Sequence, residues 1–395
     1  MKAKKITSLK KLIFWGLFLT GVSIVFYSGR AFEEYFTSKY FYFLTSFLLS
    51  GSIIFLILRL ISSTETFGDK TEKKHAIHTD HIPRIGGLAI FLSIFLTSVF
   101  FFSENKEIIF FILSSTIIFI IGLFEDYTQQ LPPVLRLIMM SVPVIYILIS
   151  LNGIIYDIYY VKLIFPIAVV FTIISVIGFI NAINIIDGLN GLASGIALLG
   201  FLFFYLATEN PTIEILTGIF FFATLAFFLV NITTGKIFLG DGGSYLLGFS
   251  LAEIAIFISN EPYLSPWFPF ALLIYPVWEV LFSMLRRRKK GKSVMDADKL
   301  HLHTLLYRRY FRKLIKNPLK ANSLTSLTIL TVIGVLDIFV YSIRENVYLL
   351  TIYTLFFIIF YTYIYHLIVH FKLGKFINKI GKLFAYKKLK QENIA

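Results

Sequence analysis

The sequence predicts an all-α fold, a polytopic transmembrane helical bundle of about 11 to 12 spans, and three observations support this. Hydrophobic residues make up 57% of the 395 residues and charged residues only 15%, whereas soluble domains contain about 25% charged residues. Apolar runs of helix-spanning length recur along the chain. The basic residues are concentrated in alternate connections between these runs, as expected of a protein inserted in a bilayer.

Twelve segments are apolar and long enough to cross a membrane, which takes about 20 residues of helix. The first follows several lysines, as a signal peptide does, but it has no small-residue cleavage site and we therefore predict a helix. The predicted spans are residues 12–29, 41–62, 86–103, 107–124, 134–151, 162–180, 191–207, 212–230, 244–259, 266–285, 324–343 and 348–370. Together they form a single integral membrane domain over residues 1–395, with one long basic inside loop at 286–323.

Lys and Arg residues determine the predicted orientation. With the N-terminus inside, 32 of the 37 lie on the inner side, and the outer five are Arg30, Lys39, Lys106, Lys162 and Arg344. This distribution follows the positive-inside rule. The net charge of +14 is therefore attributed to topology and to contacts with anionic membrane lipids, and no nucleic-acid partner is expected. Cysteine is absent, which excludes disulfides and thiolate metal sites.

Five polar stretches lie in the inside loops or at the adjoining helix ends. They are residues 78–87, 125–127 with Arg136 after them, 181–191, 236–244 and 296–303. Several have a plain structural explanation when taken alone. The acidic pair Glu125 and Asp126 suits a solvated helix end, the glycine-rich run around Asp241 suits an N-cap, and His301 with His303 suits an incidental pair in a basic segment.

The third stretch is harder to explain by structure alone. Asn181, Asn184 and Asp187 follow at intervals of three residues, so they lie roughly along one helix face. Polar groups at the end of a membrane helix are costly unless they are used. Acids, amides, glycine-rich helix starts and basic side chains on one membrane face together favour a site for Mg²⁺, with Mn²⁺ as a second option, and a diphosphate. The predicted chemistry is transfer of a phosphoryl-type group.

The five stretches, in this order, resemble those of the polyprenyl-phosphate N-acetylhexosamine-1-phosphate transferases, a superfamily (glycosyltransferase family 4) that includes phospho-MurNAc-pentapeptide translocase. The resemblance covers residues 75–310, and its most specific parts are 181–188 and 238–244. It implies a catalytic core over residues 63–320. It also implies an enzyme that transfers a sugar-1-phosphate from a UDP-N-acetylhexosamine to undecaprenyl or another polyprenyl phosphate and releases UMP.

The resemblance also implies roles for individual residues. Asp241 matches a direct Mg²⁺ ligand and Asn184 a second one, and Asp187 falls in the same nucleotide-sugar site. Asp126 matches the second carboxylate of an Asp-Asp pair that is assigned as the base, with Glu125 in place of the first. The resemblance places Glu125, Asp126, Asp187 and Asp241 among the catalytic residues. The substrate-binding residues that it implies are Arg84, Asn181, Asn184, Phe238 stacking on uracil, and His301 and His303 at the diphosphate.

This sequence departs from the family pattern in three features. Glu125 replaces an Asp, the histidine run ends in Thr304, and one extra span lies on each side of the family core. The incomplete histidine run and the form of the first motif point to the exopolysaccharide, O-antigen or teichoic-acid linkage branch, with the pentapeptide translocase as the alternative. The expected location is a bacterial inner membrane, with the site facing the cytoplasm.

A transporter or lipid flippase is the alternative of another class. Such proteins place their substrate near the middle of the bilayer, between repeated halves. In this sequence the polar stretches lie at the inner helix ends and the two halves do not resemble each other. Three charges inside predicted spans would support transport: Glu253, Glu279 and Asp337.

Overall fold

The computed structural model describes residues 39–61, 82–291 and 300–370. Helices account for nearly all the regular structure in these ranges. In chain order they are α1 (Lys39–Ile61), α2 (Gly86–Phe102), α3 (Lys106–Thr128), α4 (Pro133–Leu151), α5 (Phe165–Ile186), α6 (Leu192–Ala207), α7 (Pro211–Thr234), α8 (Gly240–Ser259), α9 (Trp267–Leu272), α10 (Ile274–Lys289), α11 (Leu302–Leu306), a π-helical turn (Tyr307–Phe311), α12 (Arg312–Leu314), α13 (Pro318–Ser342) and α14 (Val347–Val369).

The predicted membrane bundle is confirmed in this part of the chain. Eight of the helices are long and apolar enough to cross a membrane, and α2 and α6 are shorter apolar helices of 17 and 16 residues. Ten of the twelve predicted spans each coincide with one helix, and the span 266–285 coincides with two. The remaining one, residues 12–29, lies outside the described residues. The chain is therefore a multi-pass membrane protein.

One prediction about the last third of the chain was wrong in detail. The single span predicted over 266–285 is two helices, α9 and α10, interrupted at Leu273. The cause is the proline that follows, because Pro276 has no N–H to donate to the carbonyl of Leu272. The segment predicted as the inside loop, 286–323, includes the end of α10, at Lys289, and the start of α13, at Pro318. Asn317 starts α13 by accepting a hydrogen bond from the Lys320 N–H with its side chain.

Helix α8 forms the centre of the bundle. Of its most apolar window, 83% is buried inside the protein, against 28–56% in the other seven long helices. Helices α3 and α5 make the most extensive contacts with α8, and α2 and α6 complete the layer around it. Because successive helices run in alternate directions, the carboxyl ends of α3 and α5 meet the amino ends of α2 and α8 at the same end of the bundle.

Glycines allow the backbones of α2, α3 and α8 to approach closely at that end. A Cβ at Gly87 of α2 would lie 2.3 Å from the Gly243 Cα, and a Cβ at Gly122 of α3 would lie 2.6 Å from both the Gly242 Cα and the Asp241 carbonyl oxygen. These neighbours are backbone atoms, which cannot turn away as a flexible side chain can. Small residues at helix contacts are the usual means by which membrane helices approach each other.

We expect Gly122→Ala to lower the free energy of unfolding by about 1–3 kcal/mol, since the added methyl group overpacks the contact between α3 and α8. Gly178→Ala is the matched control, because a Cβ at Gly178 of α5 would have no neighbour within 4 Å. Thermal melting of both variants in the same detergent measures the effect. Equal melting temperatures for the two variants would show that the glycine contact is not tight.

Candidate active site

The segment that enters α2 is joined to the segment that enters α8 by three backbone hydrogen bonds. The Phe238 N–H donates to the Pro83 carbonyl at 2.9 Å, the Gly86 N–H to the Phe238 carbonyl at 2.8 Å, and the Gly87 N–H to the Leu239 carbonyl at 2.9 Å. The first and fourth polar stretches of the sequence therefore form one structural unit. This pairing holds Arg84 and Phe238, both half-buried, beside the start of α8.

Asp126, at the end of α3, is tied to the first turn of α8. Its Oδ2 accepts a hydrogen bond of 2.9 Å from the Gly242 N–H, while its buried Oδ1 has no hydrogen-bond partner among the described residues. Gly240 makes this approach possible. Its φ of +78° favours glycine, and a Cβ there would lie 2.2 Å from the Arg84 carbonyl oxygen and 2.6 Å from Asp126 Oδ2.

Asn184, in the last turn of α5, joins the same group from the other side of α8. Its amide nitrogen donates to Asp241 Oδ1 and to the Ser244 hydroxyl oxygen, each at 2.9 Å. The Ser244 hydroxyl in turn donates to the Asp241 carbonyl oxygen at 3.2 Å. Asp241 therefore lies between α3 and α5 in the first turn of α8, where the helix dipole favours a negative charge.

Asp187, the residue that ends α5, completes a group of three carboxyls with one arginine. Burial raises the pKa of Asp187 well above its usual range, the charge of Arg84 opposes this rise, and the charges of Asp241 and Asp126 add to it. The interaction of Asp187 with Arg84, Asp241 and Asp126 shows that the four side chains are neighbours, and a cation bound among them would favour the ionised form of the carboxyls.

The histidines reach this group from the segment after the undescribed residues 292–299. A Cβ at Gly188, next to Asp187, would lie 3.0 Å from His303 Nε2, so His303 packs on the end of α5. The rings of His301 and His303 are parallel, with their centroids 5.5 Å apart. Burial lowers the pKa of His303 to about 4, against the opposing effect of Glu279. His303 is therefore neutral at pH 7.

The oxygen donors of the site fit Mg²⁺ better than a softer metal. Among the described residues, no three His, Asp or Glu side chains converge as a ready-made metal cage. Mg²⁺ does not need such a cage, since it commonly binds one or two carboxylates and completes its shell with water and substrate phosphates. The Asn184 amide nitrogen is bound to Asp241 Oδ1, which leaves Asp241 Oδ2 and the Asn184 amide oxygen as the atoms that can face a cation.

Most of the residues predicted to form the site are brought together by the fold, but two turn elsewhere. The Glu125 carboxylate lies 3.8 Å from the Arg136 guanidinium and accepts a hydrogen bond from the Leu131 N–H at 3.2 Å. It therefore stabilises the turn between α3 and α4. The Asn181 amide donates to the Ile177 carbonyl of its own helix at 2.8 Å. The first motif is only partly described, because residues 78–81 lie outside the described ranges.

Comparison with known proteins identifies the family. The profile of glycosyl transferase family 4 matches residues 108–259, the part of the chain that holds Asp126, Asn184, Asp187 and Asp241. The phospho-N-acetylmuramoyl-pentapeptide-transferase of Staphylococcus saprophyticus is 30% identical over 244 residues, which cover 56% of this chain and 75% of the relative. The chain belongs to glycosyl transferase family 4. The resemblance seen in the motifs is thereby confirmed.

Two further relatives are similar over a comparable share of the chain. A probable undecaprenyl-phosphate N-acetylglucosaminyl 1-phosphate transferase of Bacillus subtilis is 26% identical over 58% of this chain and 66% of its own length. The decaprenyl-phosphate N-acetylglucosaminephosphotransferase of Mycobacterium tuberculosis is 26% identical over 58% of this chain and 67% of its own length. The chain thus spans about two thirds to three quarters of the length of these relatives.

Two buried asparagines that support the site of this family 4 protein were not predicted. Asn231 of α7 accepts a hydrogen bond from the Gly191 N–H at 2.5 Å and donates to the Ile237 carbonyl at 2.7 Å. Asn322 of α13 accepts from the Asn190 N–H at 2.7 Å. They hold the loops that follow α5 and precede α8. Amides in apolar stretches of the sequence were the signal, since a buried amide in a membrane protein requires partners.

Replacing Asn231 by Ala should lower the free energy of unfolding by about 1–3 kcal/mol, because it leaves the Gly191 N–H and the Ile237 carbonyl buried without partners. Asn260→Ala, at the exposed far end of α8, is the matched control. Melting temperatures in detergent compare the two variants. If both melt at the temperature of the parent protein, Asn231 does not hold the two loops.

Proposed function

We propose that this family 4 protein is a phospho-sugar transferase that moves a sugar-1-phosphate from a UDP-sugar, a UDP-N-acetylhexosamine, to undecaprenyl phosphate or another polyprenyl phosphate and releases UMP. The observation that supports this most strongly is the group formed by Asp126, Asp187, Asp241 and Arg84 at one end of a membrane bundle. A soluble nucleotide sugar can reach such a site from water, and a lipid phosphate can reach it along the membrane. The names of the relatives describe transfers of this kind.

In the proposed reaction an oxygen of the lipid phosphate attacks the β-phosphorus of the UDP-sugar. The bond from this phosphorus to the bridging oxygen breaks, and UMP leaves with that oxygen. A phosphate monoester has a second pKa of about 6 and is largely ionised at pH 7, so the attack needs little help from a base. Asp126, whose Oδ1 has no hydrogen-bond partner among the described residues, would orient the nucleophile or take its remaining proton.

Asp241 and Asn184 would hold Mg²⁺, or Mn²⁺, through their remaining oxygens. The cation would supply neutralisation of the charge on the diphosphate, the main requirement of phosphoryl transfer. Arg84 would add a second positive charge, and the half-buried Phe238, three residues before Asp241, is the residue on which a uracil base would stack. His301, whose ring is stacked on that of His303, would bind the diphosphate.

For the sugar, the proposal is an N-acetylhexosamine in the initiating step of a cell-envelope polysaccharide or O-antigen. Transfer of a MurNAc-pentapeptide phosphate is the second candidate, because the Staphylococcus saprophyticus relative carries that name. Against it, Thr304 interrupts the histidine run. A bacterial inner membrane is the proposed location, with the site on the cytoplasmic side, where 32 of the 37 basic residues lie in the proposed orientation.

Purified protein supplied with undecaprenyl phosphate, Mg²⁺ and a panel of UDP-sugars should release UMP with at least one N-acetylhexosamine donor. Asp241→Ala should lower the rate at least 100-fold, and removing the metal with a chelator should have the same effect, since both take away charge neutralisation at the diphosphate. Absence of UMP release with the entire panel, UDP-MurNAc-pentapeptide included, would refute the proposed function. An Asp241→Ala variant with full activity would refute the metal assignment alone.

The two acidic residues at the end of α3 should differ in their effect on the same reaction. Asp126→Asn is expected to lower UMP release about 100-fold or more, because Asp126 is bonded to the first turn of α8 beside Asp241 and would orient or deprotonate the lipid phosphate. Glu125→Gln is expected to lower it less than tenfold, since this side chain bonds to the turn before α4. The rate of UMP release is measured for both variants under saturating substrates. A larger loss of rate in Glu125→Gln than in Asp126→Asn would show that Glu125, and not Asp126, is the catalytic carboxylate.

A further inference from the structure

Glu279 of α10 is a buried carboxylate that lies against the histidine segment. Its Oε1 lies 3.0 Å from His301 Nδ1 and accepts a hydrogen bond from the Leu302 N–H at 3.1 Å. Its Oε2 accepts from the Tyr361 hydroxyl at 2.7 Å. Since a backbone N–H and a hydroxyl already donate to the two oxygens, this arrangement suits an ionised carboxylate to which His301 donates.

The contact with Glu279 determines which nitrogen of His301 can meet a ligand. When Nδ1 carries a hydrogen and donates to Glu279, only Nε2 remains for a substrate. A neutral ring of this form accepts a hydrogen bond at Nε2, and a ring with hydrogens on both nitrogens donates one there. The other titratable groups facing Glu279 are His303 of α11, Tyr275 of α10 and Tyr361 of α14.

The last described helix holds this carboxylate in place. Tyr361 lies in α14, outside residues 108–259, and its ring packs on Phe282 at a centroid distance of 5.6 Å. One turn further along α14, the Tyr365 hydroxyl accepts a hydrogen bond of 2.6 Å from Arg286, which also donates to the Leu300 carbonyl at 2.9 Å. Helix α14 therefore fixes both α10 and the start of the histidine segment.

We infer that Glu279, anchored by Tyr361, is a positioning residue for the proposed transfer reaction: it holds His301 with Nδ1 protonated and so directs Nε2 to the substrate. Glu279 acts only through His301 and does not touch the substrate. The inference rests on the proposed function for its kinetic consequences, whereas the state of the His301 ring is a property of the protein alone.

Kinetics of UMP release test the inference with two variants and two matched controls. Glu279→Gln keeps the shape of the side chain but removes its charge, and it should lower kcat about 10- to 100-fold, as the loss of a carboxylate behind a functional histidine does elsewhere. Tyr361→Phe should lower kcat less, because the carboxylate remains but loses its anchor. Glu253→Gln and Tyr353→Phe, equally buried and away from the histidines, should leave kcat unchanged.

A double-mutant comparison separates positioning from a general structural role. In a His301→Asn background, adding Glu279→Gln should change kcat by less than about twofold, because Glu279 then has no histidine to act on. If the second substitution lowers kcat as much as it does in the parent protein, Glu279 acts independently of His301 and the inference is wrong. Tyr361→Phe in the same background provides the same test if Glu279→Gln fails to fold.

Which nitrogens of the His301 ring carry a hydrogen can be measured without any substrate. In the full-length protein labelled with ¹⁵N-histidine, the signal that disappears in His301→Asn should show the Nδ1-protonated or fully protonated ring. A ring protonated only at Nε2 would overturn the inference. If the parent protein releases no UMP from any donor while this signal has the expected form, the proposed function fails and the Glu279–His301 arrangement stands.

Discussion

The close approach of α8 to α2 and α3 is the constraint on which the rest of the site depends. Where Gly87 meets Gly243 and Gly122 meets Gly242, the helices are separated by less than the space that a methyl group needs. This approach allows the Gly242 N–H to reach Asp126, and it sets Asp241 within reach of Asn184 on α5. Close backbone contact in the membrane and assembly of the polar site are therefore two consequences of the same glycines.

The placement of the site at one end of the bundle follows from the energetics of the bilayer. Carboxylates and amides are costly among lipid chains, and here they occupy helix ends, where backbone groups and water can satisfy them. Three neighbouring carboxyls still repel one another, and Arg84 offsets only part of that repulsion. A cation that arrives with a diphosphate substrate would complete the charge balance, which is why the proposed chemistry fits this location.

The sequence was sufficient to predict the class of fold and most of the site. Apolar runs and the distribution of Lys and Arg predicted the helices, since both follow from the properties of the bilayer, and motif order predicted Asp126, Asn184, Asp187 and Asp241 as neighbours. The break between α9 and α10 at Leu273 follows from the backbone N–H that Pro276 lacks, which the count of apolar residues does not take into account. The directions of the Glu125 and Asn181 side chains depend on tertiary contacts, which spacing along one helix does not determine.

Glu279 shows why local patterns miss supporting residues. In the sequence it is an isolated acid in an apolar run, and such a charge is equally compatible with transport. Its partners, His301 and Tyr361, are 22 and 82 residues away along the chain, so only the packing of α10 and α14 reveals the contact. The distant helix α14 thus contributes to a site whose motifs end near residue 303.

The measurement that tests the central claim most directly is cross-linking between α5 and α8, and the absence of cysteine removes any background. With Asn184→Cys and Ser244→Cys introduced together, a short bifunctional thiol reagent should join the two helices at high yield in the membrane. Asn184→Cys with Asn260→Cys, about 24 Å further along α8 by helix rise, should not be joined. Equal yields for the two pairs, or no product from the first pair, would contradict the account.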